Sequence, residues 1–203
     1  MYAGGLVQTI KRERCRYEKG NIIIIMMANT GIEEIKALAR QAHSDSRVRE
    51  QLVHDVLTGE RQKAVYSAWA LTHLPESDRI HLAAHREALT LIAVTTSDTS
   101  LRRLTLALLE RLSWNLDSLA SDSGNQDPPR CYMELLDFCF ARLMQPDEAP
   151  GVRSLCMKLA YTLSLPYPEL LGELRQCLLM LEPATLSAGV NHTRNKLLKL
   201  INP

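Results

Sequence analysis

Residues 147–164 read Asp147-Glu148-Ala149-Pro150-Gly151-Val152-Arg153-Ser154-Leu155-Cys156-Met157-Lys158-Leu159-Ala160-Tyr161-Thr162-Leu163-Ser164. From Val152 onward the apolar residues Val152, Leu155, Leu159 and Leu163 recur at intervals of three and four. That spacing is the period of one helix face. An arginine stands beside the first of them, and an acid and a turn precede it.

The same local look recurs along the chain. Arg61-Gln62-Lys63-Ala64, Leu101-Arg102-Arg103-Leu104, Val152-Arg153-Ser154-Leu155 and Thr193-Arg194-Asn195-Lys196-Leu197 each place bases just before a Leu/Ala run. Measured between Ala64, Leu104, Leu155 and Leu197, the spacings are 40, 51 and 42 residues. Asp98…Leu101-Arg102 is a weaker copy of the 147–153 pattern. Asp45…Val48-Arg49 fits it locally, although the helix pairing below places it in a first helix.

Around these marks the pattern predicts helices over 31–42, 46–58, 60–74, 78–94, 99–114, 130–144, 151–164, 168–182 and 187–201. Thr30 and Glu33 form a capping-box pattern before the first. Asp45 or Ser46, Ser77 or Asp78, and Asp98 are the caps expected later. Gly59 and Pro75 are stops, and Pro168 suits a first helical turn. The expected inward residues of 78–94 are Ile80, Ala84, Leu89, Leu91 and Ile92. No segment alternates with period two, so the fold class is all-α.

The repeat resembles the HEAT/armadillo-like helical repeats, in which two helices recur every ~40–47 residues. In that family an acid precedes a Val-Arg pair and then a Leu/Ala stripe, as in residues 147–163. The resemblance covers about residues 31–201. It implies an α-α superhelix of about nine helices, with pairs 46–58/60–74, 78–94/99–114, 130–144/151–164 and 168–182/187–201, and with 31–42 closing one end. One such pair cannot bury its apolar face alone, so stacking makes the core continuous. The resemblance further implies that the second helices line a concave face, and that the repeat arginines pair with loop acids of neighbouring repeats as a ladder. A generic helical bundle is the alternative architecture.

Composition fits this reading. The chain has 203 residues, with 24 Lys+Arg against 23 Asp+Glu, 46% hydrophobic, 23% charged and only 5% aromatic residues. It is not the composition of a disordered, collagen-like or disulfide-framework protein. The five cysteines (15, 131, 139, 156, 177) are odd in number and contain no CxxC. No apolar run approaches the ~18–20 residues of a membrane span. A reducing cytoplasm is the expected compartment. Residues 1–29 read as a disordered or spurious extension: basic up to Lys19, then a short apolar run, with Met26 and Met27 as the expected translation starts. Residues 30–203 read as one helical-repeat domain with a mobile loop at 115–129, which is polar and ends in Pro128-Pro129.

Charge is distributed unevenly. The second helices (60–74, 98–114, 150–164, 188–201) carry ten bases and three acids. The first helices (46–58, 77–94, 130–144, 167–181) carry seven bases and eight acids. Arg102, Arg103, Arg153, Lys158, Arg194, Lys196 and Lys199 are therefore the expected partner-binding residues, with the structural ladder as the competing role for the repeat arginines.

Chemistry leaves little trace. His81 and His85 are four apart, but the Glu of HExxH is missing and no third ligand is spaced to join them. No phosphate loop, GxGxxG or GxSxG occurs. Trp69 and Trp114 lie near the ends of second helices, where core packing is the expected role. HEAT-like DNA glycosylases resemble this chain in size and fold, but no catalytic Asp can be matched to a position here. The expectation is a non-enzymatic scaffold without a cofactor, holding a protein or peptide partner, an acidic one in particular. Nucleic-acid binding, glycosylase-like repair included, is the alternative.

Overall fold

The computed structural model describes residues 31–112, 114 and 130–201. The 1–29 extension, the Thr30 cap and the 115–129 loop of the sequence reading lie outside the described residues. Within them the regular elements are all helical. In chain order they are α1 (Ile32–Ser44), α2 (Ser46–Thr58), α3 (Arg61–Thr72), α4 (Glu76–Leu82), α5 (Arg86–Thr95), α6 (Thr99–Arg111), α7 (Arg130–Leu143), α8 (Pro150–Ser164), α9 (Pro168–Met180) and α10 (Ala188–Ile201). Short 3₁₀ turns occupy Ala83–His85 and Pro183–Thr185.

Local chemistry sets most of the boundaries. The Asp45 side chain accepts the Arg47 amide at 2.8 Å and opens α2. Asp98 accepts the Leu101 amide at 2.9 Å and opens α6. Pro150 and Pro168 begin α8 and α9, where no intrahelical N–H is needed. At α1 it is Glu34 that accepts the Gly31 amide, at 3.0 Å. Glu33 pairs instead with Lys36 on the surface. Gly59 closes α2 with φ at −73°, so space rather than backbone freedom calls for glycine: a Cβ there would stand 2.4 Å from the Asp55 carbonyl oxygen.

The expected helix 78–94 is corrected in two ways. It starts at Glu76, so Asp78 falls inside the first turn and does not cap it. Its buried carboxylate reaches His43 of α1 at 2.8 Å and lies 3.7 Å from Arg49 of α2. The helix then breaks into a 3₁₀ turn at 83–85, with no Pro or Gly to announce it. Tertiary contacts hold the residues at the break: His85 meets Glu50 of α2 at 3.2 Å, and the Arg86 guanidinium stacks 4.8 Å from the Trp114 ring centroid. Leu82, Leu89, Thr90 and Ala93 face inward, while Ile80 (74% exposed) and Leu91 (56%) face out, against the sequence expectation.

Packing follows the repeat. α3, α6, α8 and α10 stack side by side in one layer. α2 lies against α3, α5 against α6, α7 against α8, and α9 against both α8 and α10. α1 packs on α2 and α3, at the end where the resemblance placed it. The core is aliphatic and runs through the stack. Leu52, Leu71, Leu89, Leu106, Leu109, Leu135, Leu159, Leu163, Leu174 and Leu178 are all buried. Each such side chain contributes roughly 1.5–3 kcal/mol on leaving water.

Candidate functional site

The cations fall into an inner set, with Arg49 on α2 and the others on the second helices, and an outer set on the second helices. The inner set is a row of buried arginines. Arg49 donates from Nη1 to the Ala42 carbonyl at 3.2 Å, and Arg102 donates to the Thr96 carbonyl. Arg153 Nε donates to the Leu143 carbonyl, and Arg194 Nε to the Leu178 carbonyl, both at 2.7 Å. These acceptors lie at or just beyond the last turn of α1, α5, α7 and α9. The last carbonyls of a helix lack intrahelical donors and carry the negative end of its dipole. Each arginine therefore caps the helix that precedes its own. All four are 7–9% exposed. Burial pulls the Arg153 guanidinium down from its ordinary value.

Three expected partner-binding residues thus point into the molecule: Arg102, Arg153 and Arg194. Their guanidinium groups serve the hairpin they stand in. The ladder expectation is also redrawn. Arg61, 83% exposed on its side chain, makes the expected ladder pair with Asp98 of the next repeat, while Arg102, Arg153 and Arg194 hold main-chain carbonyls instead. Arg49 stands in the buried row in place of Arg61. The signal was in the sequence, since Val48-Arg49 matches Val152-Arg153 more closely than Arg61-Gln62 does.

The outer set is Arg103, Lys158, Lys196 and Lys199, all exposed. They sit on α6, α8 and α10 at positions that the buried stripes Leu101/Leu104/Leu108, Val152/Cys156/Leu159 and Val190/Leu197 leave facing outward. Arg103 runs its aliphatic stem over α8, where a Cβ on Gly151 would stand 2.9 Å from its Cδ. Lys158 Nζ lies 3.8 Å from Glu110. Among the described residues no hydrogen bond or ion pair engages Arg103, Lys196 or Lys199. Other bases of the layer are occupied: Lys63 meets the buried Asp55 at 2.8 Å, and Arg111 donates to the Thr72 carbonyl.

The outward stripe of α3 is different. Gln62, Tyr66, Trp69 and His73 recur at helical spacing, opposite the buried Ala64, Ser67, Ala68 and Leu71. Tyr66 and Trp69 are half-buried and His73 is exposed. Trp69 and His73 meet edge to face at 6.4 Å. Trp69 is therefore half-buried, not the core residue expected. Trp114 is core: it is buried, donates to the Leu109 carbonyl at 3.1 Å and stacks edge to face on Tyr132.

Burial pushes the Cys131, Cys139 and Cys177 thiols up from their ordinary value. A reactive thiol requires the opposite shift. Among the described residues no cluster of three His, Cys, Asp or Glu could hold a metal ion, and no helix is long and apolar enough to cross a membrane.

Comparison with curated proteins and with solved structures finds no match. A family model described as HEAT repeat domain matches residues 26–201. With most of its length matched, and with paired helices stacked into a continuous layer, the chain belongs to the HEAT repeat domain family.

Proposed function

We propose that the protein is a non-catalytic, cytoplasmic scaffold that holds a protein or peptide partner on the outward face of α3, α6, α8 and α10. The observation that carries this reading is the continuous layer of four neighbouring helices, whose outer face is uncovered among the described residues. Such layers present extended binding surfaces. HEAT repeats also commonly mediate protein interactions, which supports the same reading.

Nucleic acid is the competing ligand. A protein that binds DNA tightly makes roughly 6–10 phosphate contacts. The described residues of the layer expose six bases, but Arg61, Arg111 and Lys158 already hold Asp98, the Thr72 carbonyl and Glu110, and the three that are left fall short of that. Site-specific photo-crosslinking tests the proposal. A photoreactive residue at Ser154, on the second-helix layer, is expected to capture one defined protein from native extract. The same residue at Glu87, on the first layer, is expected to capture none. Capture from Glu87 only, or of nucleic acid from Ser154, would overturn it.

A further inference from the structure

The outward face is chemically divided, and the division carries information about the partner. The exposed stripe of α3 carries no Lys, Arg, Asp or Glu. It offers the half-buried side chains of Tyr66 and Trp69. From α6 onward the outward face is basic, with Arg103, then Lys158, then Lys196 and Lys199. The four helices stand in the order α3, α6, α8, α10. Arg111 to Thr72 and Lys158 to Glu110 tie successive helices together across it. Aromatic and basic regions therefore form two ends of one band.

We infer that this band recognises an extended acidic segment of a protein partner that carries one aromatic or large apolar side chain at its end. The anchor lies against Tyr66 and Trp69, and the acids lie over Arg103 and the α10 lysines. This rests on the scaffold reading above and adds the partner's chemistry to it. Half-buried aromatic platforms are where recognition energy concentrates, because a ring gives large apolar contact at little entropic cost. Exposed cations without counter-ions steer an acidic chain and select its register. The buried arginines cannot take part, since their guanidinium groups already hold main-chain carbonyls.

Dimensions make the inference specific. Packed helices lie ~8–10 Å apart, so α10 stands ~30 Å from α3. An extended chain advances ~3.3 Å per residue, so about nine residues cover that span. The first acid should follow the anchor by about three residues, to meet Arg103, and a second group of acids by about eight or nine.

The test is fluorescence anisotropy on the full chain. The probe is a labelled ten-residue peptide with phenylalanine first, glutamate at the fourth, ninth and tenth places, and serine or glycine elsewhere. Its reversed-sequence counterpart covers the opposite chain direction. Controls replace phenylalanine by serine, or the glutamates by glutamine, and a labelled oligothymidylate ten-mer carries the nucleic-acid alternative. One of the two peptide directions is expected to bind. K196E/K199E, at exposed sites, and Trp69→Ala are each expected to weaken that binding about tenfold, and both peptide controls to weaken it as much. Arg130→Glu, an exposed site on α7 of the first-helix layer, is expected to leave it unchanged. Failure of both peptides to bind at millimolar concentration, or binding indifferent to K196E/K199E, would overturn the inference. So would tighter binding of the oligothymidylate. If a protein still cross-links at Ser154 while the peptides fail, the scaffold reading stands and only this partner chemistry falls.

Discussion

An arginine in a helical repeat can be a handle for a partner or a strut for the fold, and in this chain neighbours in sequence divide the roles. Arg102 is buried on the Thr96 carbonyl, while Arg103 is exposed over Gly151. A contrast in stability follows. Arg153→Met keeps the apolar stem, removes the donor and leaves the Leu143 carbonyl without it. Hydrogen bonds to charged groups contribute about 1.5–3 kcal/mol, so a loss of roughly that size is expected in urea unfolding. Arg103→Met should change stability by less than about 0.5 kcal/mol, as surface changes usually do. Equal effects of the two would refute the assignment of strut and handle. Sequence alone leaves this undecided, because both are arginines one step apart. Their difference is a rotation of about 100° about the helix axis, and only the neighbours of α6 say which side is inside.

At the level of the helix, end chemistry was the most legible feature of the sequence. Asp45, Asp98, Gly59 and Pro168 stand at the helix ends their residue types suggest. Asp98 also sets a pH dependence. The Leu101 amide above all, and the Arg61 guanidinium as well, hold its carboxyl below the ordinary value against the opposing pull of burial. A carboxyl with a lowered folded-state pKa stabilises the protein above its unfolded value of about 3.9, and that contribution fades as pH falls through the folded value. Asp98→Ala should therefore cost about 1 kcal/mol at neutral pH, the usual worth of such a cap. The gap from the parent should close below about pH 4. A gap that persists in chemical denaturation at pH 2.5 would contradict this role. The α4–α5 break was illegible for the converse reason. The residues that meet it, Glu50 and Trp114, lie far away in sequence. Ile80 and Leu91 were placed inward by a periodicity that assumed one unbroken helix.

At the largest scale the described helices form a stack in which cohesion grows toward the middle. α7 and α8 share the closest pairing, with α6 on one side and α10 on the other, whereas α1 and α9 lean on fewer partners. Stacked repeats open from their ends, because each unit is held only by its neighbours. Hydrogen–deuterium exchange should show the slowest amides in α6 and α8, and faster exchange in α1, α9 and the outer turn of α10. Uniform protection would mean that the stack opens as one unit. The layer itself was readable from the 40–51-residue spacing of the Leu/Ala marks. The excess of base over acid on the second helices was equally visible, but its meaning was not. A formal charge counts an arginine alike whether it faces water or a carbonyl, so much of the net excess of seven bases is spent on buried caps and ion pairs.

The arginine caps bear on how such a chain can change over generations. Arg102, Arg153 and Arg194 each find their acceptor within their own helical hairpin, not in the next one. A hairpin that is duplicated or lost takes its buried charge and that charge's acceptor with it. No orphaned guanidinium is left in the interior of a neighbour, and what must be re-matched between units is chiefly apolar shape. The unequal intervals between the repeat marks are lengths such modules can tolerate, and the buried Asp78, held by His43 and Arg49, is the exception that ties α4 to α1 and α2.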